Sequence, residues 1–169
     1  SYMFAGATSF NGNIESWDVS SVTDMQHMFE NASAFNGSLY GWNTEMVENM
    51  SHMFAGTTFN GNIDDWDVGS VRDMSYMFYN NTSFNQDLHL WDVSEVKNMS
   101  YMFAGAQAFN EDISSWNVVK VTDMQSMFSD ALIFNVDIEG WDVSDVTTMG
   151  SMFSNAGAFN QDISQWDVT

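Results

Sequence analysis

Acidic and amide side chains recur in this 169-residue chain at intervals that could build a cation site. The residue after each tryptophan is Asp18, Asn43, Asp67, Asp92, Asn117, Asp142 or Asp167. On strands stacked in parallel about 4.8 Å apart, such residues would form a ladder. Carboxylates that close repel by about 1 kcal/mol per pair even in bulk water. A row of calcium ions or a cationic ligand would relieve the repulsion, with Asp67, Asp92 and Asp142 as the candidate ligands. Backbone N–H groups at a turn would relieve it as well. The change from Asp to Asn at 43 and 117 favours that second reading, because an amide keeps the acceptor oxygen and loses the charge. Two more columns use the same turn-and-cap residue types: Asn13 to Asp162 ahead of each Ile or Leu, and Asp24 to Thr148 ahead of each first Met.

His27 and His52 occupy equivalent places one repeat apart, a spacing that could hold a metal, although two imidazoles alone make a weak site. Tyr76 and Tyr101 follow in the same column, then Ser126 and Ser151. That column is expected to face solvent, and exposed aromatics cluster at protein interfaces. Tyr40, His52, Tyr76, Tyr79, Leu90 and Tyr101, gathered in the middle of the chain, are therefore the candidate binding residues. An asparagine follows phenylalanine at Asn11, Asn36, Asn60, Asn85, Asn110, Asn135 and Asn160. An amide both donates and accepts, so a stacked asparagine ladder between coils is the expected role. The paired methionines suit adaptable core packing better than a soft-metal site. No Ser-His-Asp order and no glycine-rich phosphate loop stands out. The acids are periodic, whereas an active site breaks a period, so these residues point away from an enzyme.

The elements that carry these columns repeat. Tryptophans fall at 17, 42, 66, 91, 116, 141 and 166, a period of 25 with one step of 24. A fixed period of this size marks a repeat architecture. Val22, Met25, Met28, Phe29 and Ala32 lie at i, i+3, i+6, i+7 and i+10, which predicts one face of a short helix. Asp18 and Ser20 are N-cap types just ahead of it. Trp17 and Val19 alternate with polar residues, which predicts a short strand with one buried face. The spacing Ile14-x-x-Trp17-x-Val19-x-x-Val22 fits the leucine-rich-repeat pattern, with aromatic and branched residues in place of leucine. The expected fold is an α/β repeat solenoid, leucine-rich-repeat-like. It has seven coils on the 25-residue period, each with a short parallel strand and a short helix, and residues 1–169 form a single solenoid domain. The pattern begins and stops without capping repeats, so a piece of a longer array is expected. The 24-residue step is expected to pinch the superhelix locally.

The run Phe-Asn-x-Asp-Ile-Ser-x-Trp-Asp-Val-Ser-x-Val-Thr-Asp-Met-x-x-Met-Phe is clearest at residues 109–128 and 159–168. It resembles the repeat of BspA-like surface proteins and mycoplasma-type lipoproteins. The resemblance implies a microbial surface protein with a leucine-rich-repeat-like fold, and ligands too varied to carry over. The net charge of −20, with only Arg72, Lys97 and Lys120 as fixed cations, argues against nucleic acid and against an anionic membrane surface. There is no cysteine for a disulfide framework and no apolar run long enough to span a bilayer. The expected function is a non-enzymatic cell-surface or secreted recognition or adhesion module that binds protein or glycan. No cofactor is expected apart from the calcium considered above, and any signal or anchor would lie outside this segment. A structural spacer or stalk, or a calcium-dependent adhesin repeat, are the alternatives. The ends of such an array are also expected to be able to associate end to end.

Overall fold

The structure is a computed structural model that describes residues 1–168. No described residue lies in an α-helix. The β-pairing consists of isolated parallel bridges: Asp24↔Asn49, Asn49↔Asp73, Asp73↔Asn98, Asn98↔Asp123 and Asp123↔Thr148. The expected α/β solenoid of leucine-rich-repeat type is therefore wrong, since the described coils hold neither its short strand nor its short helix. Each coil is a succession of tight turns, and consecutive coils still stack on one another through backbone hydrogen bonds.

The segment from Met25 to Ala32 shows why a helix does not form. The N–H of Met28 donates to the carbonyl of Met25 at 3.2 Å, and that of Ala32 to Phe29 at 2.9 Å. The third residue of each turn, His27 and Asn31, has φ of 55° and 57°, the sign a type II turn demands there. The N–H groups of Met25, His27, Phe29 and Asn31 leave the coil and donate to the carbonyls of Asn49, Ser51, Met53 and Ala55. A helix would have turned them back onto carbonyls four residues earlier, and left-handed residues prevent that. The apolar spacing misleads because a tight turn brings residue i+3 back over residue i, much as one turn of helix does. The predicted strand dissolves in the same way. Trp17 bonds back to Ile14 at 3.0 Å and Val22 to Val19 at 2.8 Å, so this stretch is two more turns.

The core runs along the stack. Phe29, Phe54, Phe78, Phe103 and Phe128 form one column of rings 5.5–5.8 Å apart, each also packed on the second phenylalanine of its own coil at 3.8–4.1 Å. The indoles form a further column, and from Trp42 onward each indole N–H donates to a carbonyl one coil back. Trp42 reaches Ile14, Trp66 Leu39, Trp91 Ile63, Trp116 Leu88, Trp141 Ile113 and Trp166 Ile138, at 3.1–3.4 Å. A lone coil would leave these groups in water, so the neighbour is what makes burial possible. The second left-handed position of the coils reads Gly6, Asn31, Gly56, Asn80, Gly105, Asp130 and Asn155. A Cβ on Gly56 or Gly105 would collide with the Oδ1 of Asn31 or Asn80 in the coil before, so glycine there clears space for the amide.

The periodic acids and amides close turns. Oδ1 of Asp18, Asn43, Asp67, Asp92, Asn117 and Asp142 accepts the backbone N–H two residues on, at 3.0–3.3 Å. Asp24, Asn49, Asp73, Asn98 and Asp123 do the same at 2.9–3.0 Å. The serine hydroxyl and N–H of Ser94 hold Asp92 below the usual carboxylate range. Ser20 does the same for Asp18, and Ser144 for Asp142. A pKa lowered in the folded state stabilises the fold fully above about pH 4, and the contribution is lost as the pH falls through the lower folded value. Asp92→Asn retains the acceptor oxygen and is expected to melt close to the parent. Asp92→Ala strands the Ser94 N–H and is expected to lose about 0.5–1.5 kcal/mol. Equal thermal denaturation of the two variants would contradict the turn-closing role.

Candidate functional site

The first left-handed position of each coil carries the site. Tyr2, His27, His52, Tyr76 and Tyr101 all have φ between 55° and 58°. Bulky residues seldom accept this conformation. Here it aims each ring out of the coil and onto its neighbour. Ring centroids are 4.3 Å apart for Tyr2–His27 and for His27–His52, 4.4 Å for His52–Tyr76 and 4.6 Å for Tyr76–Tyr101, with planes within 18° of parallel. Tyr79 meets Tyr76 and Tyr101 edge-on at 5.4 and 6.4 Å. The result is a five-ring ridge along one side of the stack. His27, His52, Tyr76 and Tyr101 are half-buried, and the inner three, His27, His52 and Tyr76, have a neighbouring ring on each face.

One carboxylate breaks the repeat along the ridge. Nδ1 of His27 lies 2.8 Å from Oε2 of Glu30, and Nδ1 of His52 lies 3.8 Å from Oε1 of the same carboxylate. Burial and then the neighbouring His27 hold His52 below the ordinary imidazole range. Burial and then Tyr101 push the Tyr76 phenol up.

Of the six residues expected to bind, the structure brings together His52, Tyr76, Tyr79 and Tyr101. Tyr40 and Leu90 are exposed, but they stand on the turn ahead of the tryptophans, two coils apart. Sequence reasoning missed Tyr2 and Glu30. Tyr2 had a signal, since it precedes Met3-Phe4 as His27 precedes Met28-Phe29. Glu30 had a weaker one, three residues after His27. Asp67, Asp92 and Asp142 each commit Oδ1 to a backbone N–H, and only His27, Glu30 and His52 form a group of three metal-type side chains among the described residues. Calcium is accordingly expected to shift the melting temperature no more than magnesium does at equal ionic strength. A rise specific to calcium would restore the carboxylate row as a site. Asn11, Asn36, Asn60, Asn85, Asn110 and Asn135 each accept, through Oδ1, the backbone N–H of the next asparagine in the column at 2.7–3.0 Å, ending at Asn160.

At one end of the stack an apolar hollow of about 310 Å³ is lined by Met149, Met152, Phe153, Ile163, Trp166 and Val168. These are the residue types that the next coil covers elsewhere in the array. No helix among the described residues is long and apolar enough to cross a membrane.

A family model described as "Mycoplasma protein of unknown function, DUF285" matches residues 1–90 and again 83–169, which together span the chain. No curated protein and no solved structure matches it.

Proposed function

This chain belongs to the DUF285 family of Mycoplasma proteins, and from that premise we propose a non-enzymatic recognition module displayed on a cell surface, with the ring ridge as its contact face. The observation that carries this is where the ridge stops. Ser126 and Ser151 continue the column with φ of 52° and 58°, so the backbone holds this conformation without a ring. The core phenylalanines, by contrast, are present in every coil. Rings that the backbone does not require, placed in a conformation that costs about 1–2 kcal/mol per residue, suit a surface selected for contact.

A protein partner fits better than a glycan. Sugar rings stack on aromatic faces, and here both faces of His27, His52 and Tyr76 are taken by neighbouring rings 4.3–4.6 Å away. Exposed edges and hydroxyls of tyrosines held rigid by stacking offer amphipathic area with little entropy left to lose. The net charge of −20 favours a basic partner and fast, salt-sensitive association.

The test is a screen of the immobilised chain against purified extracellular-matrix proteins and glycans, repeated with Tyr76→Ser/Tyr101→Ser. Serine is what the array itself uses in this column, so the fold is expected to survive. The expected result is a basic protein bound at least about tenfold more weakly by the double variant, a loss of about 1.4 kcal/mol. Equal binding by parent and variant would remove the ridge from the contact, and binding to glycans alone would overturn the choice of partner.

A further inference from the structure

We propose that His27, Glu30 and His52 form a three-ligand site for a single borderline divalent cation, with Zn²⁺ as the reference ion. Their ligand atoms lie within 4.8 Å of one another, on two adjacent coils. Zinc bonds of about 2.1 Å at tetrahedral angles place donor atoms about 3.4 Å apart. The two His–Glu separations, 2.8 Å to Oε2 and 3.8 Å to Oε1 of the one carboxylate, lie on either side of that value. The imidazoles stack 18° off parallel at 4.3 Å, so each ring has to tilt out of the stack to bring its in-plane Nδ1 lone pair onto one ion beside the carboxylate. Tyr2 stacks on the far face of His27 and Tyr76 on the far face of His52, so both outer ring contacts shift with that tilt.

The coincidence of residue types supports the site as strongly as the distances do. The positions equivalent to Glu30 in the other coils are Ala5, Ala55, Tyr79, Ala104, Ser129 and Ser154, so only one coil places an acid there. Only two coils place histidine in the ridge, and they are the two that flank this acid. Neutral imidazole is the ligating form, so binding is expected to strengthen as the pH rises through the imidazole range. Two imidazoles and a carboxylate suit zinc, nickel and copper better than calcium or magnesium, which prefer oxygen. Three protein ligands leave a fourth position for water or a partner's side chain.

The experiment titrates the chelator-stripped chain with Zn²⁺ by calorimetry and with Co²⁺ by visible absorption. His27→Ser, His52→Ser and Glu30→Ala are run beside it. Each replaces the ligand with a residue that other coils carry at that place, and melting curves confirm the fold. The expected result is one ion per chain, the intense visible bands of tetrahedral Co²⁺, and at least a tenfold loss of Zn²⁺ affinity in each variant. His89→Ser, at the exposed His89–Asp87 pair, is expected to bind as the parent does. Absence of saturable binding, full binding by Glu30→Ala, or loss with His89→Ser would each overturn the assignment.

Discussion

Trp91→Ala is expected to lose about 3–5 kcal/mol of stability in a urea or thermal melt. The indole is 3% exposed, stacks on Trp116 at 6.5 Å, and donates its N–H to the Ile63 carbonyl at 3.1 Å. Removal empties a large volume and strands a buried acceptor in the coil before. Stability in a stack is held partly at the interfaces between coils, so damage at the middle acts on both neighbours. Trp17→Ala makes the contrast, because this indole is 38% exposed at the first coil. Its loss is expected to cost about half as much or less. If Trp91→Ala and Trp17→Ala were equally mild, the indole column would not be what joins the coils.

Asn81→Ala is expected to cost about 2–4 kcal/mol, from buried polar groups left without partners. The repeat alone would predict a neutral change, because Ala32, Ala106, Ala131 and Ala156 hold the same place in other coils. The third coil is one residue short between Phe54 and Phe59, and the structure shows what fills the gap. Thr57 supplies a hydroxyl to the Phe59 N–H at 3.3 Å, where a longer coil uses a backbone carbonyl. Asn81, wholly buried in the next coil, donates to the Thr57 hydroxyl at 3.3 Å and to the Phe59 carbonyl at 2.8 Å. Its oxygen accepts the N–H groups of Ser83 and Phe84 at 3.2 and 3.1 Å. Among the described residues no buried side-chain polar atom lacks a partner, and alanine here would take these partners from the Phe59 carbonyl and the Phe84 N–H. Inserting one alanine between Thr58 and Phe59 restores the ordinary coil length and is expected to remove most of the penalty. An Asn81→Ala chain that melts with the parent would show that the short coil needs no such repair.

The repeat itself was legible without coordinates, because burial imposes it on residue type. A position that faces the core in one coil faces it in all, so Trp, Phe and Met return on a fixed beat. The division of labour among the acids was legible for a related reason. Asn43 and Asn117 showed that the acceptor oxygen matters there and the charge does not, and the structure places that oxygen on the N–H two residues on. Local substitution patterns report local hydrogen bonds.

The path of the backbone between those positions was not legible. Apolar residues three and four apart satisfy a helix and a run of tight turns alike, and what separates them is the sign of φ at His27 and Asn31. That sign is decided by the coil above, whose carbonyls at Asn49, Ser51, Met53 and Ala55 take the N–H groups a helix would have kept. The same holds for Glu30 between two imidazoles and for Asn81 beneath a shortened coil. Each reaches residues 22 to 24 apart in sequence, and only stacking puts them in reach.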